Sequence, residues 1–299
     1  MEDLVTVYIT TLNRPDLLSR ALKSVQEQTY SNIEVIVCND ASDYMYEIEY
    51  EKIINSYHSS FKKLIYHVNK VRRGACFSRN YAIENSSGKY ITGLDDDDIF
   101  SPDRISYFIN YPGIDNYSFL CSNVKGLNEI SLTENLHSKR DTSLYLGKEI
   151  RYDDMKRFNF VGNQIFIRRD KIINKFIFDE NMPAWQDYDM WFRIIQELGV
   201  CLKLNACTMF LDDDRGRERI TTSSKAHLGY KKFVEKHANN LNSLDLKILR
   251  YVDLLNRKQK INILNSIMFD SPKDYITIIK YYSTYRFPKL YKFYQSKFK

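Results

Sequence analysis

The first hundred residues alternate strand-like and helix-like hydrophobic patterns. Strand patterns cover residues 4–10, 33–38, 64–68 and 89–94, and helix patterns cover residues 17–25, 47–57 and 76–85. Strands and helices in this order predict an α/β fold with a doubly wound, mostly parallel sheet. Ligands of such sheets bind beyond the carboxyl ends of the strands.

Beyond residue 102 the pattern is less regular. We expect a short helix from residue 102, strands over 118–124, 164–168 and 200–211, and an amphipathic helix after Asp187. The polar stretch that ends near residue 154 predicts no regular element. From residue 221 onward the periodicity is helical. These patterns predict two halves of one domain, residues 1–110 and 111–220, and a C-terminal helical region over 221–299.

Composition places the chain among soluble globular proteins, with 43% hydrophobic and 27% charged residues. No apolar run approaches the roughly 18 residues that a membrane span needs. The N-terminus is acidic at Glu2 and Asp3, unlike a secretory signal, so a cytoplasmic location is expected. The five cysteines are spread through apolar runs and are expected to be reduced, and the five histidines lack zinc-ligand spacing.

The net charge of +6 is concentrated at the C-terminus. Residues 272–299 contain seven Lys or Arg and one acid, interleaved with nine aromatic residues. This tail suits the headgroup region of an anionic membrane on the cytoplasmic side, but it equally suits a helix packed on the domain with a solvated basic face. Nucleic-acid binding is not expected, because the rest of the chain is nearly neutral and contains no recognisable module.

Four consecutive aspartates, residues 95–98, follow a predicted buried strand. One interpretation is a solvated turn or an N-cap for the helix at residue 102. The other is that the alternate carboxylates of Asp95 and Asp97 point to one side and bind a hard divalent cation, leaving positions open for phosphate oxygens. Such a cation would neutralise a departing diphosphate.

Four runs in order resemble glycosyltransferase family 2: TVYITTLNRP (6–15), QTYSNIEVIVCNDAS (28–42), RGACFSRNYA (73–82) and GKYITGLDDDD (88–98). The resemblance covers about the first 220 residues. It implies a GT-A-type, Rossmann-like fold with a nucleotide-sugar-binding half followed by an acceptor-binding half. It also implies an inverting enzyme that uses Mn²⁺ or Mg²⁺.

The resemblance assigns donor-binding roles to residues in the first three runs. Thr10 and Asn13 would lie beside the nucleotide base, with Arg14 nearby, and Asp40 would bind the uracil or ribose. Arg79 would lie near the diphosphate or the sugar. Where the family often has two acids before the turn, this chain has Asn39-Asp40, which weakens the assignment of the base.

In the acidic run the resemblance assigns Asp97 as the metal ligand and Asp95, with Asp96, to nucleotide-sugar binding. The run WQDYDMWFR (185–193) resembles the family segment that begins with the catalytic base, a position that Asp187 occupies. Inverting transfer needs one carboxylate to deprotonate the acceptor hydroxyl. The alternative is that Asp187 only caps the helix and Asp189 lies in its first turn.

Two further positions are candidates for substrate contacts. Trp185 could stack on an acceptor sugar, or it could belong to the core. The segment after the last strand resembles a loop that closes over the diphosphate, for which Arg217 and Arg219 are the candidates. The acids at 212–214 are a weaker, rival metal site.

The sequence therefore predicts an inverting, metal-dependent glycosyltransferase that moves a hexose or N-acetylhexosamine from a nucleotide sugar, UDP-linked by expectation, to a glycan acceptor. A lipid-linked acceptor in bacterial surface polysaccharide synthesis, such as O-antigen, would account for the basic tail. Two alternatives remain. A sugar nucleotidyltransferase would carry a glycine-rich loop after the first strand, whereas residues 10–15 contain no glycine. A catalytically inactive binding protein would retain the fold.

Overall fold

The computed structural model describes residues 2–127, 147–212 and 224–257. The predictions for Arg217, Arg219 and the tail 272–299 lie outside these residues. The strands are β1 (Val5–Thr11), β2 (Ile33–Asn39), β3 (Lys63–Val68), β4 (Tyr90–Asp95), β5 (Ile99–Phe100), β6 (Leu120–Gly126), β7 (Gly147–Ile150), β8 (Phe166–Arg168) and β9 (Cys201–Leu211). The helices are α1 (Pro15–Gln26), α2 (Glu47–Tyr57), α3 (Ala75–Glu84), α4 (Arg104–Ile109), α5 (Tyr152–Met155), α6 (Arg169–Ile172), α7 (Gln186–Leu198), α8 (Ser224–Lys236) and α9 (Ser243–Asn256).

The described strands form one sheet in the order β3-β2-β1-β4-β8-β6-β9-β5, with β7 also paired to β9. The first four strands in this order are all parallel, which confirms the predicted α/β class. Their register places Thr10 beside Cys38 on one side and beside Asp95 on the other. The carboxyl ends of β1, β2 and β4 therefore meet at one edge of the sheet.

The other side of the sheet is mixed. β8 is antiparallel to both β4 and β6, while β6 is parallel to β9. β5 and β7 are antiparallel to β9. The sequence did not predict β5, β7 or α5, and its expectation of an irregular stretch up to residue 154 is wrong for 147–155. β7 buries only Ile150 among its four residues, so it carries no hydrophobic alternation.

Both faces of the parallel strands are covered by helices, which explains why these strands appear as continuous apolar runs. Val7 and Ile9 of β1 belong to the core that Leu18 and Leu22 of α1 complete. Tyr8 belongs to the opposite core, which contains the buried face of α7. The five cysteines are free, and all except the half-buried Cys207 are buried, as predicted.

The C-terminal end of α8 contacts α7 through Asp189, which is completely buried. Its carboxylate accepts hydrogen bonds from His237 (2.9 Å), Arg193 (3.0 Å) and Lys236 (3.0 Å). Burial alone would raise the pKa of Asp189, but these three partners lower it to about 2. Asp189 lies in the first turn of α7, and it is buried there because Lys236 and His237 come from about 50 positions further along the chain.

Across the described ranges, no helix combines the length and the apolar character that crossing a bilayer would require.

Candidate active site

A buried arginine joins two of the predicted site carboxylates. Arg79, on α3, donates from Nη2 to Asp95 Oδ1 (2.9 Å) and from Nη1 to Asp187 Oδ1 (3.3 Å). Its side chain is only 8% exposed, whereas those of Asp95 and Asp187 are 25% and 27% exposed. The carboxylates at the tip of β4 and at the start of α7 therefore lie on one cleft, with the guanidinium between them.

The surroundings of Asp187 raise the pKa of its carboxyl. Burial raises the pKa of Asp187 to about 6, with the positive charge of Arg79 opposing the shift and the negative charge of Asp95 adding to it. Burial would lower the pKa of Arg79, but Asp95 and Asp187 raise it overall. Arg79 therefore stays charged while Asp187 can exchange a proton near neutral pH.

Asp187 lies inside the first turn of α7 rather than at its N-cap. The N-cap residue is Trp185, which has a left-handed backbone (φ 61°) and makes no side-chain cap. The half-buried Trp185 ring packs against Tyr188, Tyr230 and Phe233 at centroid distances of 5.3–5.7 Å. The capping alternative for Asp187 is thus wrong, and Trp185 lies at the edge of an aromatic cluster.

Arg14 binds the acidic run. Its guanidinium makes an ion pair with Asp96 (2.5 Å) and another with Asp97 (3.0 Å). Asp96 is completely buried, and burial raises its pKa to about 7 against the opposing effect of Arg14. The guanidinium of Arg14 therefore lies between the buried Asp96 and the partly exposed Asp97, and the assignment of Arg14 and Asp96 to donor binding stays a prediction. Asp97 is 32% exposed and is available from the cleft.

Asp40 and Asn13 shape the loops around the predicted nucleotide pocket. The buried Asp40 carboxylate accepts the main-chain N–H groups of Arg73 and Gly74, each at 2.8 Å. Asn13, also in a left-handed conformation (φ 57°), donates its amide to Asp43 and accepts from the Asp43 N–H. Both side chains thus fix loop geometry at the carboxyl ends of β1 and β2.

The acidic run offers two carboxylates as possible ligands for a hard cation. Among residues 2–127, 147–212 and 224–257, no group of three or more His, Cys, Asp or Glu side chains is arranged to hold a metal by itself. Asp95 and Asp97 are the partly exposed carboxylates of the run. Mg²⁺ beside nucleotides is commonly held by one or two carboxylates together with phosphate oxygens and water, which this donor set matches.

Comparison with known proteins places this site in a family. The model of "Glycosyl transferase family 2" matches residues 6–178, which include Asp40, Arg79 and the acidic run. The chain belongs to glycosyl transferase family 2. The "Putative colanic acid biosynthesis glycosyl transferase WcaA" of Escherichia coli K12 is 32% identical over 246 residues, covering 82% of this chain and 85% of WcaA. This family 2 member is therefore a glycosyltransferase.

Another Escherichia coli relative, the "UDP-Glc:alpha-D-GlcNAc-diphosphoundecaprenol beta-1,3-glucosyltransferase WfgD", is 26% identical over 198 residues. The alignment covers 66% of this chain and 72% of WfgD.

Two solved structures share the fold. Staphylococcus aureus TarS 1-349 in complex with UDP-GlcNAc superimposes with a TM-score of 0.63, covering 94% of this chain and 80% of TarS 1-349 at 14% identity. The mannosyltransferase PcManGT of Pyrobaculum calidifontis, in complex with GDP-Man and Mn²⁺, gives a TM-score of 0.61, with 99% and 84% covered at 14% identity. The GT-A-type fold predicted from sequence is confirmed.

Three side chains at the site of this family 2 glycosyltransferase were not predicted. Gln164 donates to Asp95 (3.3 Å), Asn163 donates to Asp98 (3.0 Å), and Arg20 donates to Asp212 (2.6 Å). Burial raises the pKa of Asp98 to about 8, and Asp95 and Asp97 add to the shift. Single polar residues on a loop or a helix face give no motif, so only the folded chain reveals them.

Proposed function

We propose that this glycosyltransferase moves a hexose or N-acetylhexosamine from a UDP-linked donor to a glycan hydroxyl with inversion of configuration. The observation that carries the proposal is the contact of Arg79 with both Asp95 and Asp187. Because one guanidinium contacts both carboxylates, it supports a reaction in which Asp187 is the proton acceptor and Asp95 lies beside the donor. In a single displacement the acceptor hydroxyl attacks the anomeric carbon on the side opposite the leaving diphosphate, so the base must lie beside that hydroxyl.

In the proposed reaction Asp187 takes the proton of the acceptor hydroxyl as that oxygen attacks the anomeric carbon. The bond from this carbon to the diphosphate oxygen breaks, and the electron pair leaves with the diphosphate. With a pKa of about 6, Asp187 is mostly ionised at neutral pH and is still basic enough to accept a proton. Arg79 holds the carboxylate oriented, and an α-linked donor yields a β-linked product.

Asp97, with Asp95 beside it, would hold Mn²⁺ or Mg²⁺, consistent with the Mn²⁺ in the PcManGT complex. When bound, the cation supplies Lewis-acid stabilisation of the leaving diphosphate. Arg14 would keep Asp97 oriented, because its guanidinium also pairs with the buried Asp96. Arg217 and Arg219 stay the proposed diphosphate clamp.

The donor and acceptor classes are supported by relatives. UDP-GlcNAc is the ligand in the TarS complex, and WfgD by its name transfers glucose from UDP-Glc to a diphosphoundecaprenol-linked GlcNAc. We propose a lipid-linked acceptor in surface polysaccharide synthesis and a membrane contact through residues 272–299. Undiminished binding to anionic liposomes after deletion of these residues would contradict that contact.

The decisive experiment incubates the protein with UDP- and GDP-sugars and Mn²⁺ and follows nucleoside diphosphate release with and without glycan acceptors. D187N should lower acceptor-dependent turnover by about 10²–10⁴-fold while donor binding stays nearly intact, because only the base is lost. D97A should weaken both.

The exposed Asp170 offers a matched control, and D170N should keep full activity. Normal turnover by D187N would refute the assignment of the base. Sugar-1-phosphate and nucleoside triphosphate consumption, with pyrophosphate release, would instead favour a nucleotidyltransferase.

A further inference from the structure

A cavity of about 250 Å³ lies on the face of the sheet that α7 covers, outside the cleft between Asp95 and Asp187. β6, β7 and β9, the helix α5 and the loop after it provide its walls. Its lining combines two lysines, two asparagines, one acid and two apolar side chains: Asn123, Lys148, Ile150, Asp154, Phe160, Lys203 and Asn205. Nothing in the reaction proposed above uses these residues.

The two ammonium groups of this cavity converge on Phe160. Lys203 Nζ donates to the Phe160 carbonyl (2.9 Å), and Lys148 Nζ lies 5.6 Å from the centroid of the Phe160 ring. Within the described part of the chain, neither lysine has a carboxylate at ion-pair distance. The carboxylate of Asp154 is directed instead to the main-chain N–H of Arg151 (2.9 Å). The cavity is therefore positively charged.

The remaining lining is typical of a sugar site. Asn123 donates its amide to the main-chain carbonyl of Asn205 (2.8 Å), which fixes the Asn123 side chain at the rim. Amide side chains can donate to and accept from sugar hydroxyls. The Phe160 ring and Ile150 offer apolar surface, and pockets that combine apolar walls with a few polar groups are the usual form of small-molecule sites.

The cavity connects to the catalytic cleft through one rigid segment, residues 159–164. Asn159 accepts the N–H groups of Val161 and Gly162, and the Trp191 indole donates to the Gly162 carbonyl (3.0 Å). Asn163 and Gln164, at the end of this segment, donate to the aspartates of the β4 tip. Residues 160 and 163 can be at most about 11 Å apart along the chain, so this short segment links the wall of the cavity to the side chains that contact the β4 tip.

We propose that this cavity is an acceptor subsite for a sugar residue carrying a negatively charged substituent, a carboxylate or a phosphate. The inference rests on the proposed function, because it assigns the cavity to the glycan that Asp187 activates. Lys148 and Lys203 bind the anionic substituent, the asparagines bind hydroxyl groups, and the Phe160 ring contacts the sugar face.

Ligand-observed NMR titrations on the full chain, with UDP and the diamagnetic Mg²⁺ present in excess, test the proposal. The probes are methyl β-D-glucuronide, glucose 6-phosphate and the uncharged methyl β-D-glucoside. At least one charged sugar should bind about tenfold more tightly than the glucoside, because a hydrogen bond to an ionised group is stronger than a neutral one. The tighter of the two charged probes identifies the substituent.

The exposed Lys148 allows matched variants. K148Q should remove the preference for the charged sugar, K148R should retain it, and K62Q, at another exposed lysine, should leave it unchanged. Equal binding of the glucoside, an unchanged preference in K148Q, or no detectable binding of either charged sugar would overturn the subsite. UDP binding in the same samples reports separately on the proposed function.

Discussion

At the residue scale the site depends on one guanidinium group, that of Arg79, which pairs with two carboxylates. Arg79 is buried, so its charge acts on Asp95 and Asp187 with little solvent screening. Burial raises the pKa of Asp187, and Arg79 limits that rise. The acid is thereby kept ionised at neutral pH, which is the form that can accept a proton.

The pH dependence of transfer should reveal this balance. Activity needs ionised Asp187, so kcat/KM should fall as the pH drops through about 6. R79Q removes the group that lowers the pKa of Asp187, so the acidic limb should move to higher pH. Kinetics between pH 5 and 9 measure the shift.

R168Q is the control, because Arg168 pairs with the exposed Asp115 and Asp170. If the acidic limb of the pH profile is the same in R79Q as in the wild type, Arg79 does not lower the pKa of Asp187.

At the element scale β4 positions the acidic run and is packed too closely to tolerate a side chain at Gly93. A Cβ there would overlap the Gln164 amide and the Tyr8 ring, both of which are buried against the strand. Gln164 also donates to Asp95, so the backbone of β4 and the orientation of its terminal carboxylate are linked. Close packing of this kind transmits small displacements.

G93A should therefore lower the free energy of unfolding by about 1–3 kcal/mol and reduce turnover, because Gln164 must move. Urea unfolding and the glycosyl-transfer assay measure the two effects. T92V, on the adjacent residue, is the control. Thr92 Oγ1 is buried without a hydrogen-bond partner among the described residues, so its loss should be neutral or stabilising. Wild-type stability in G93A would show that the overlap relaxes freely.

The attachment of α8 to α7 predicts a second stability effect. D189N leaves His237, Arg193 and Lys236 without their shared anion and should lower the free energy of unfolding by about 3 kcal/mol. The native pKa of Asp189 lies below its ordinary value, so the carboxylate stabilises the fold above about pH 4. That stabilisation is lost as the pH falls from 4 towards 2.

Urea midpoints at pH 7, 4 and 3 for wild type, D189N and the exposed-site control D170N measure this contribution. Equal midpoints for D189N and wild type at pH 7 would contradict the role of Asp189.

The elements that the sequence predicted are those that bury an unbroken apolar run or one regular helix face. β1, β2 and α1 bury regular sets of apolar residues, and their predicted limits agree with the structure to within a few residues. β5 has two residues and β7 is an exposed edge strand, so neither has a pattern to detect. The Arg14–Asp96 pair and the burial of Asp189 could not be predicted, because the partners come from distant segments that only tertiary packing brings together.

At the scale of the whole molecule, one continuous sheet joins the two predicted halves. β5, from the first 110 residues, pairs with β9 of the second half, and β4 pairs with β8. The division at residue 110 stays a prediction. The cleft itself draws on both halves, because Asp95 precedes that boundary and Asp187 follows it.

Donor binding should accordingly stabilise the whole fold. UDP with Mn²⁺ at 100 times its dissociation constant should add about 2.7 kcal/mol to the free energy of unfolding and raise the Tm. EDTA should remove most of this increase, because the diphosphate then loses its bridging cation. Thermal unfolding followed by circular dichroism measures both shifts.

D97N should abolish the Mn²⁺-dependent part of the shift and leave the Tm without nucleotide nearly unchanged. An identical UDP shift with EDTA and with Mn²⁺ would rule out the metal.

The residue that follows β9 is bound to the acidic run. The Asp212 N–H donates to Asp98 (3.0 Å), and the Asp212 carboxylate pairs with Arg20 (2.6 Å). Arg217 follows five residues later, so the Cα atoms of Asp212 and Arg217 are at most about 18 Å apart. The proposed clamp residue is therefore confined to a small volume around the acidic run. Each glycine inserted after Asp212 raises that limit by about 3.6 Å, so diphosphate binding by the proposed clamp should weaken gradually with each insertion.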